Sequence, residues 1–158
     1  MKKMLSLVLA LALCLTAITS YAAVPSKIAG IISVFINDQK CSETPDAIAL
    51  AASNVELLKL VQKGPAEYFG AEVNEVFEFS PVKVTVPQDA VADGKVEAVF
   101  VADTAFDAGE NVLVLLAVEE NNVLTWTIFE GIGNDAGGVV ATVDAEILAK
   151  AIFCALAK

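Results

Sequence analysis

The feature that most constrains this fold is a series of short β-type segments between residue 73 and the C-terminus. Apolar and polar residues alternate at 82–86, as in a strand with one buried face. Turn-forming residues interrupt the pattern about every ten residues, as in antiparallel sheet proteins. The sequence therefore predicts a mainly-β sandwich of six or seven short strands. The other predicted strands are 32–36, 95–101, 112–118, 123–129 and 139–143, with turns at 119–122 and 131–138.

The segment 81–158 also carries a recognisable succession of elements. It contains the strand at 81–87, a second strand beginning at 110–115, a hairpin ending in Trp126, and the strand at 138–143 before a short helix. In this succession it resembles the small Ig-like modules of secreted and cell-surface proteins of Gram-positive gut bacteria. The resemblance implies an Ig-like β-sandwich and a last strand in the tail at 151–157, where the residues also fit a helix. It implies no shared active site.

Two helices are predicted. The longer covers about 45–63: Thr44 can cap it, Pro45 suits its first position, and Gly64-Pro65 ends it. Its apolar residues recur at helical spacing and predict one buried face that covers a sheet. These residues are Ile48, Ala51, Ala52, Val55, Leu58 and Val61, and Leu57 and Leu60 widen the face. The shorter helix covers about 145–150, with Asp144 as its cap.

The N-terminus is typical of a secretory signal peptide. Two lysines precede an apolar run at 4–18, and small residues allow cleavage after Ala22. We therefore expect a signal peptide at 1–22, an exported protein, and no transmembrane segment after cleavage. The rest, 23–158, is expected to form one domain, with a strand and helix at 23–70 and the Ig-like sandwich at 71–158.

The charged residues exclude several classes of function. Because Lys2 and Lys3 lie in the predicted signal peptide, eight lysines and twenty carboxylates remain, a net charge near −12. Such a charge disfavours nucleic acid and anionic membranes as partners. The chain has neither arginine nor histidine. Without imidazole, the usual general base of Ser or Cys triads is missing, so the sequence favours a protein that is not an enzyme.

Four residues are candidates for ligand binding. Asp103, Asp107 and Glu110 share one predicted loop, where oxygen ligands could hold Ca²⁺, although the EF-hand pattern is absent and solvated loop charge is the simpler interpretation. Trp126 could stack on a sugar ring, or it could belong to the core. No other cofactor is expected.

Two further pairs have open interpretations. Cys41 and Cys154 could form a disulfide in an exported protein, or they could remain two buried thiols. Ser80 and Lys83 match the letters of a Ser-x-x-Lys motif, but on an alternating strand residues three apart face opposite sides. We therefore do not expect Ser80 and Lys83 to act together.

These observations favour a secreted, non-catalytic structural or adhesive module. Its partner would be a protein or a cell-wall or glycan surface. A carbohydrate-binding module with exposed aromatic residues and a Ca²⁺ site is the alternative, and a carboxylate-based hydrolase is a third interpretation.

Overall fold

The computed structural model of the protein describes residues 28–158, so the signal peptide predicted at 1–22 lies outside the described residues. Eight strands, three helices and one 3₁₀ turn follow one another along this part of the chain. In order they are β1 Ser33–Ile36, β2 Gln39–Lys40, α1 Ala47–Lys63, α2 Pro65–Phe69, β3 Val76–Pro81, the 3₁₀ turn Gln88–Ala90, β4 Lys95–Val101, β5 Asn111–Glu120, β6 Val123–Gly133, β7 Val139–Asp144, α3 Ala145–Lys150 and β8 Phe153–Ala157.

All eight strands belong to one antiparallel sheet, in the order β2-β1-β4-β7-β6-β5-β8-β3, curled into a half-barrel. The mainly-β prediction is confirmed. The Ig-like sandwich of six or seven strands is not confirmed, because the pairing ladder runs through the sheet without separating it into two. The central step of that ladder joins β7 to β6, with Val140 opposite Ile132.

The sheet separates two apolar cores. The inner core fills the half-barrel, and the outer core lies between the helices α1 and α2 and the opposite face of the sheet. Strand β5 contributes to both cores: Val114 and Leu116 point inward, and Leu115 and Ala117 point outward. All four are buried, which confirms the prediction that this strand is central.

The two edges of the half-barrel are joined by short polar contacts rather than by a ladder. The backbone amide of Ile32 donates to the hydroxyl of Ser80 at 3.0 Å, and the amide of Glu43 donates to the carbonyl of Lys83 at 2.9 Å. The predicted strand at 82–86 lies here. Its alternation is as expected, since Val82, Val84 and Val86 are buried, but it pairs only at Val84, in a single bridge to Ser42. These contacts shield the backbone groups that an open sheet edge would expose.

Helix α1 differs from the sequence prediction in its N-cap and in its buried face. Asp46, not Thr44, is its cap, and the Asp46 carboxylate accepts from the amide of Ala49 at 2.7 Å. The buried face is formed by Ser53, Leu57 and Leu60, so the predicted face is buried only at its margin, at Leu57 and Leu60. Two residues at the centre of the predicted face are in solvent: Ile48 is 80 % exposed and Val55 is 53 % exposed.

The C-terminal elements follow the prediction. Asp144 accepts hydrogen bonds from the amides of Glu146 and Ile147, and the helix covers Ala145–Lys150 as expected. The tail forms a strand, Phe153–Ala157, whose five residues are all buried. The strand was the expectation drawn from the Ig-like resemblance.

Candidate functional site

Strand β3 places one carboxyl group inside the protein. The pairing register of β3 with β8 shifts between Val76 and Glu78, and such a bulge changes the face to which the following side chains point. As a result Phe77 packs against the inner core and Glu78 lies opposite Leu156, another inner-core residue. Glu78 is only 2 % exposed. No pattern in the sequence predicted that Glu78 is buried.

The Glu78 carboxyl has few partners. Its Oε2 atom accepts from the hydroxyl of Thr104 at 3.3 Å. Its Oε1 atom lies against the N-terminal segment: a Cβ placed on Gly30 would lie 1.3 Å from that oxygen. Only glycine at position 30 leaves room for the carboxyl group. The segment around Gly30 therefore covers Glu78 from one side.

A cavity of about 500 Å³ borders this carboxyl group, and Glu75 and Asp103 also line it. Burial raises the pKa of Glu78, the negative charge of Asp103 raises it further, and the Thr104 hydrogen bond opposes both effects. A raised carboxyl pKa beside a second carboxylate is a feature of glycosidase sites. Here the Gly30 segment covers the group from one side, and Glu78 is only 2 % exposed.

The three calcium candidates are not brought together as one ligand set. Glu110 closes a turn with Asp107: its carboxylate accepts from the amide of Asp107 at 3.1 Å, and its own amide donates to the carbonyl of Asp107 at 3.0 Å. Asp103 lies instead at the cavity beside Glu78. Among residues 28–158, no group of three acidic, histidine or cysteine side chains is placed to hold a metal ion.

Trp126 lies in an aromatic cluster beneath helix α2. Its ring centroid is 4.7 Å from that of Phe69, 5.8 Å from Phe79 and 6.1 Å from Tyr68. The ring is half-buried and contributes to the outer core. Edge-on packing on several sides is the ordinary environment of a core tryptophan, whereas sugar stacking requires one open ring face.

The cysteines are free in this structure, so the disulfide interpretation is not supported and the thiol alternative agrees with the structure. Cys154 is fully buried in the inner core, and burial raises the pKa of its thiol. Cys41 is half-buried, and its thiol donates to the carbonyl of Gln39 at 3.3 Å.

Ser80 and Lys83 are separated, as the alternating pattern predicts. The buried Ser80 hydroxyl bonds to the backbone of Ile32 and Pro81, while Lys83 is exposed and pairs with Glu43 at 3.0 Å. No nucleophile and base meet at this position.

A partly exposed apolar surface lies on the outer face of β1, β4, β7 and β6. Four residues stand directly opposite one another on these adjacent strands and form what we call the apolar row: Phe35, Val99, Val140 and Ile132. With strands about 4.8 Å apart, the apolar row is about 14 Å long. Ile132 is 54 % exposed, and the other three are half-buried. The sequence indicated an apolar surface here, because the predicted strand at 95–101 is apolar on both faces.

A shallow groove of about 990 Å³ adjoins the apolar row on β5, β6 and β7. Its lining includes Leu113, Ile128 and Ile132. Acidic residues accompany the row: Glu97 is opposite Thr142, and Glu130 is opposite Leu113, both on the same outer face and both exposed. The surface is therefore apolar at its centre, with the carboxylates of Glu97 and Glu130 and the ammonium group of Lys158 at its margin.

Within residues 28–158, no helix combines the length and the apolarity needed to cross a bilayer. No protein-family model, curated protein or solved structure matches the chain.

Proposed function

We propose that this chain is an exported, non-catalytic interaction protein whose binding surface is the apolar row together with its adjoining groove. The observation that carries the proposal is the apolar row itself, four apolar side chains opposite one another on adjacent strands, of which Ile132 is exposed and the other three are half-buried. Exposed apolar patches with polar margins are typical of protein interaction sites.

The charges at the margin suggest the chemistry of the partner. Glu97 and Glu130 flank the apolar row, so a protein surface with apolar side chains beside lysine or arginine would complement it. The absence of imidazole and guanidinium groups from the chain supports recognition rather than catalysis. The resemblance to Ig-like modules is part of this proposal, because such modules occur in secreted and cell-surface proteins.

The test is binding of the fluorescently labelled protein to intact cells of the source organism. We expect binding that protease treatment of the cells removes, and that Ile132→Asp weakens about tenfold or more, because a charge in the buried centre of an interface costs at least the 1.4 kcal/mol of one decade. The matched control is Val55→Asp, which places the same charge at a similarly exposed position on α1.

Equal binding by Ile132→Asp and the unsubstituted protein would refute this surface as the binding site. Binding that survives protease treatment, or that appears on a glycan array and depends on Trp126, would instead identify a carbohydrate-binding module.

A further inference from the structure

The sheet is open between β6 and β7. Strand β6 pairs with β5 over ten residues, but it pairs with β7 only at Gly131–Gly133. Continued in the same register, the ladder between β6 and β7 would set Glu130 opposite Thr142. Instead the two strands separate, and Glu130 and Thr142 both line the groove of about 990 Å³. Residues 123–130 of β6 therefore form a strand edge inside the sheet, which we call the β6 edge.

Half of the backbone groups of the β6 edge point into this opening. The amide of Gly133 donates to the carbonyl of Glu110 at 2.8 Å, so the backbone of Gly133 faces β5. Backbone direction alternates along a strand and the β5–β6 register has no shift, so every second residue of the β6 edge faces away from β5. Among residues 28–158, no backbone group pairs with these residues on that side. They are Leu124, Trp126, Ile128 and Glu130.

The β6 edge differs from the two outer edges of the sheet. An exposed edge is a template for pairing with another chain, and proteins usually shorten it, cover it or interrupt it with proline or lysine. Strand β2 has only two residues, and β3 is covered by the segment 28–30 and ends at Pro81. The β6 edge is eight residues long, contains no proline or lysine, and has no buried residue. Only Glu130, at its last position, is charged, so most of this edge is open to an added strand.

The opening has space on both faces of the sheet. The groove of about 990 Å³ is lined by Ile128 and Glu130, whose side chains lie on one face. A cavity of about 410 Å³ is lined by Thr125 and Thr127, which lie on the other face, and by residues of β7 and α3. Because β7 and α3 flank the opening, a neighbour of β6 must fit between these elements. A single extended chain meets that requirement better than the broad surface of a second folded copy.

The charges beside the opening favour a basic segment. Carboxylates outnumber ammonium groups along the groove and the cavity by four to two. The carboxylates are those of Glu120, Glu130, Asp144 and Glu146, and the ammonium groups are those of Lys150 and Lys158. The ammonium group of Lys150 is already paired with Glu146. A segment with lysine or arginine near its ends would therefore complement this surface.

We propose that the partner contributes an extended, basic segment that pairs with the β6 edge and adds a strand to the sheet. Strand addition gives affinity through backbone hydrogen bonds and specificity through alternate side chains. Apolar side chains of the segment would lie beside Ile128 and Trp126, and small polar ones beside Thr125 and Thr127. This inference rests on the proposed function, because the β6 edge borders the groove beside the apolar row.

Amide hydrogen exchange of the protein alone is the first test, with the natural N-terminus determined by mass spectrometry. In dilute protein, the amides of Trp126, Ile128 and Glu130 should exchange about tenfold or more faster than those of Thr127 and Phe129, which face β5. Equal protection of both sets in the monomer would overturn the proposal, because the edge would already be covered. Protection that rises with concentration, together with the mass of a dimer in sedimentation, would assign the edge to a second copy and also overturn it.

A pair of substitutions tests the edge in the binding assay on intact cells. Glu130→Pro removes the amide that points into the opening and leaves the β5 ladder intact, since proline is tolerated where the amide of an edge strand faces solvent. Glu130→Ala removes the same charge and keeps the amide. We expect Glu130→Pro to weaken binding about tenfold or more beyond the effect of Glu130→Ala. Circular dichroism checks that both variants fold.

A synthetic peptide tests strand addition without the natural partner. The probe has eight residues, with alternating valine and threonine between two terminal lysines. At millimolar concentration it should shift and protect the amides of Trp126, Ile128 and Glu130, and the same peptide N-methylated at alternate residues should not. Equal effects of both peptides, or no effect of either, would overturn the proposal.

The two proposals fail in different ways. Binding to cells that Ile132→Asp abolishes and Glu130→Pro leaves unchanged would overturn the added strand and support the proposed function. Pairing of the peptide with the β6 edge, in a protein that binds no cells, would support strand addition at this edge and refute the proposed function.

Discussion

Glu78 is held almost entirely out of water, beside the exposed carboxylate of Asp103 and with one hydroxyl partner. Removing a charged carboxylate from water is costly unless several hydrogen bonds replace its hydration. Among residues 28–158, one side-chain bond from Thr104 replaces only part of it, so burial raises the pKa of the Glu78 carboxyl group. The buried carboxylate of Glu78 therefore lowers the free energy of unfolding at neutral pH.

This burial predicts a stabilising substitution. Because the pKa of Glu78 is raised in the folded state, the folded protein binds the proton more tightly than the unfolded chain, and the free energy of unfolding falls as pH rises from the unfolded pKa to the folded one. Glu78→Gln keeps an acceptor for Thr104 and removes the charge. We expect it to raise the free energy of unfolding at neutral pH by about 1 kcal/mol, a typical size for a point substitution.

The gain should disappear below about pH 4, where the carboxyl group is protonated in both states. Denaturant melts at neutral and acidic pH measure both quantities. Glu75→Gln, at an exposed position lining the same cavity, is the control and should change stability little. If Glu78→Gln lowered the free energy of unfolding at neutral pH and left it unchanged at acidic pH, the carboxylate would be a stabilising group and our assignment would be wrong.

At the scale of elements, the segment 28–30 forms backbone hydrogen bonds with β3, the strand at one edge of the sheet. Phe79 of β3 donates its amide to the carbonyl of Ile28 at 2.6 Å, and its carbonyl accepts from the amide of Gly30 at 3.3 Å. Both backbone groups of an edge residue are thereby satisfied. This pairing brings Gly30 against the Glu78 carboxyl group, which is possible because glycine has no Cβ.

The contact between Gly30 and Glu78 predicts that substitutions at these two positions have coupled effects on stability. Gly30→Ala would place a methyl group on the Glu78 carboxyl group, and overpacking of a buried position typically costs about 1–3 kcal/mol. In a Glu78→Ala background the space is free, so the same substitution should cost much less. A double-mutant cycle by denaturant unfolding measures the coupling. Additive effects of the two substitutions would show that the contact does not hold the segment in place.

At the scale of the whole molecule, two apolar cores share one sheet and no covalent link joins the described elements. A Cys41–Cys154 bridge would have closed a loop of more than a hundred residues and contributed about 4–5 kcal/mol in the chain-entropy model. Stability here must come from packing alone.

The thermal unfolding midpoint of the protein should therefore be the same with and without a reducing agent. A thiol reagent should modify Cys41 in the folded protein and reach Cys154 only after denaturation, because burial disfavours the reactive thiolate of Cys154. The Cys41→Ser variant should show no reactive thiol when folded. A midpoint lowered by the reducing agent would contradict the structure and indicate a bridge.

The sequence alone determined the features that depend on neighbouring residues. The strand Lys95–Val101 and the helix Ala145–Lys150 lie where their patterns predicted them. The hairpin between β5 and β6 forms at Asn121 and Asn122, whose φ angles of 53° and 60° are those that asparagine tolerates. Each of these features is stabilised by contacts within a few residues, so a short stretch of sequence contains the information.

Only the tertiary structure decided which of several apolar surfaces is buried. On α1, the pair Leu57 and Leu60 and the pair Ile48 and Val55 are equally apolar, and the first pair is buried because it meets residues of β3 and β8 that are distant in sequence. The bulge that turns Glu78 inward and the alignment that creates the apolar row also arise from pairing between distant strands. Such contacts depend on how the whole sheet curls, and local periodicity does not encode the curl.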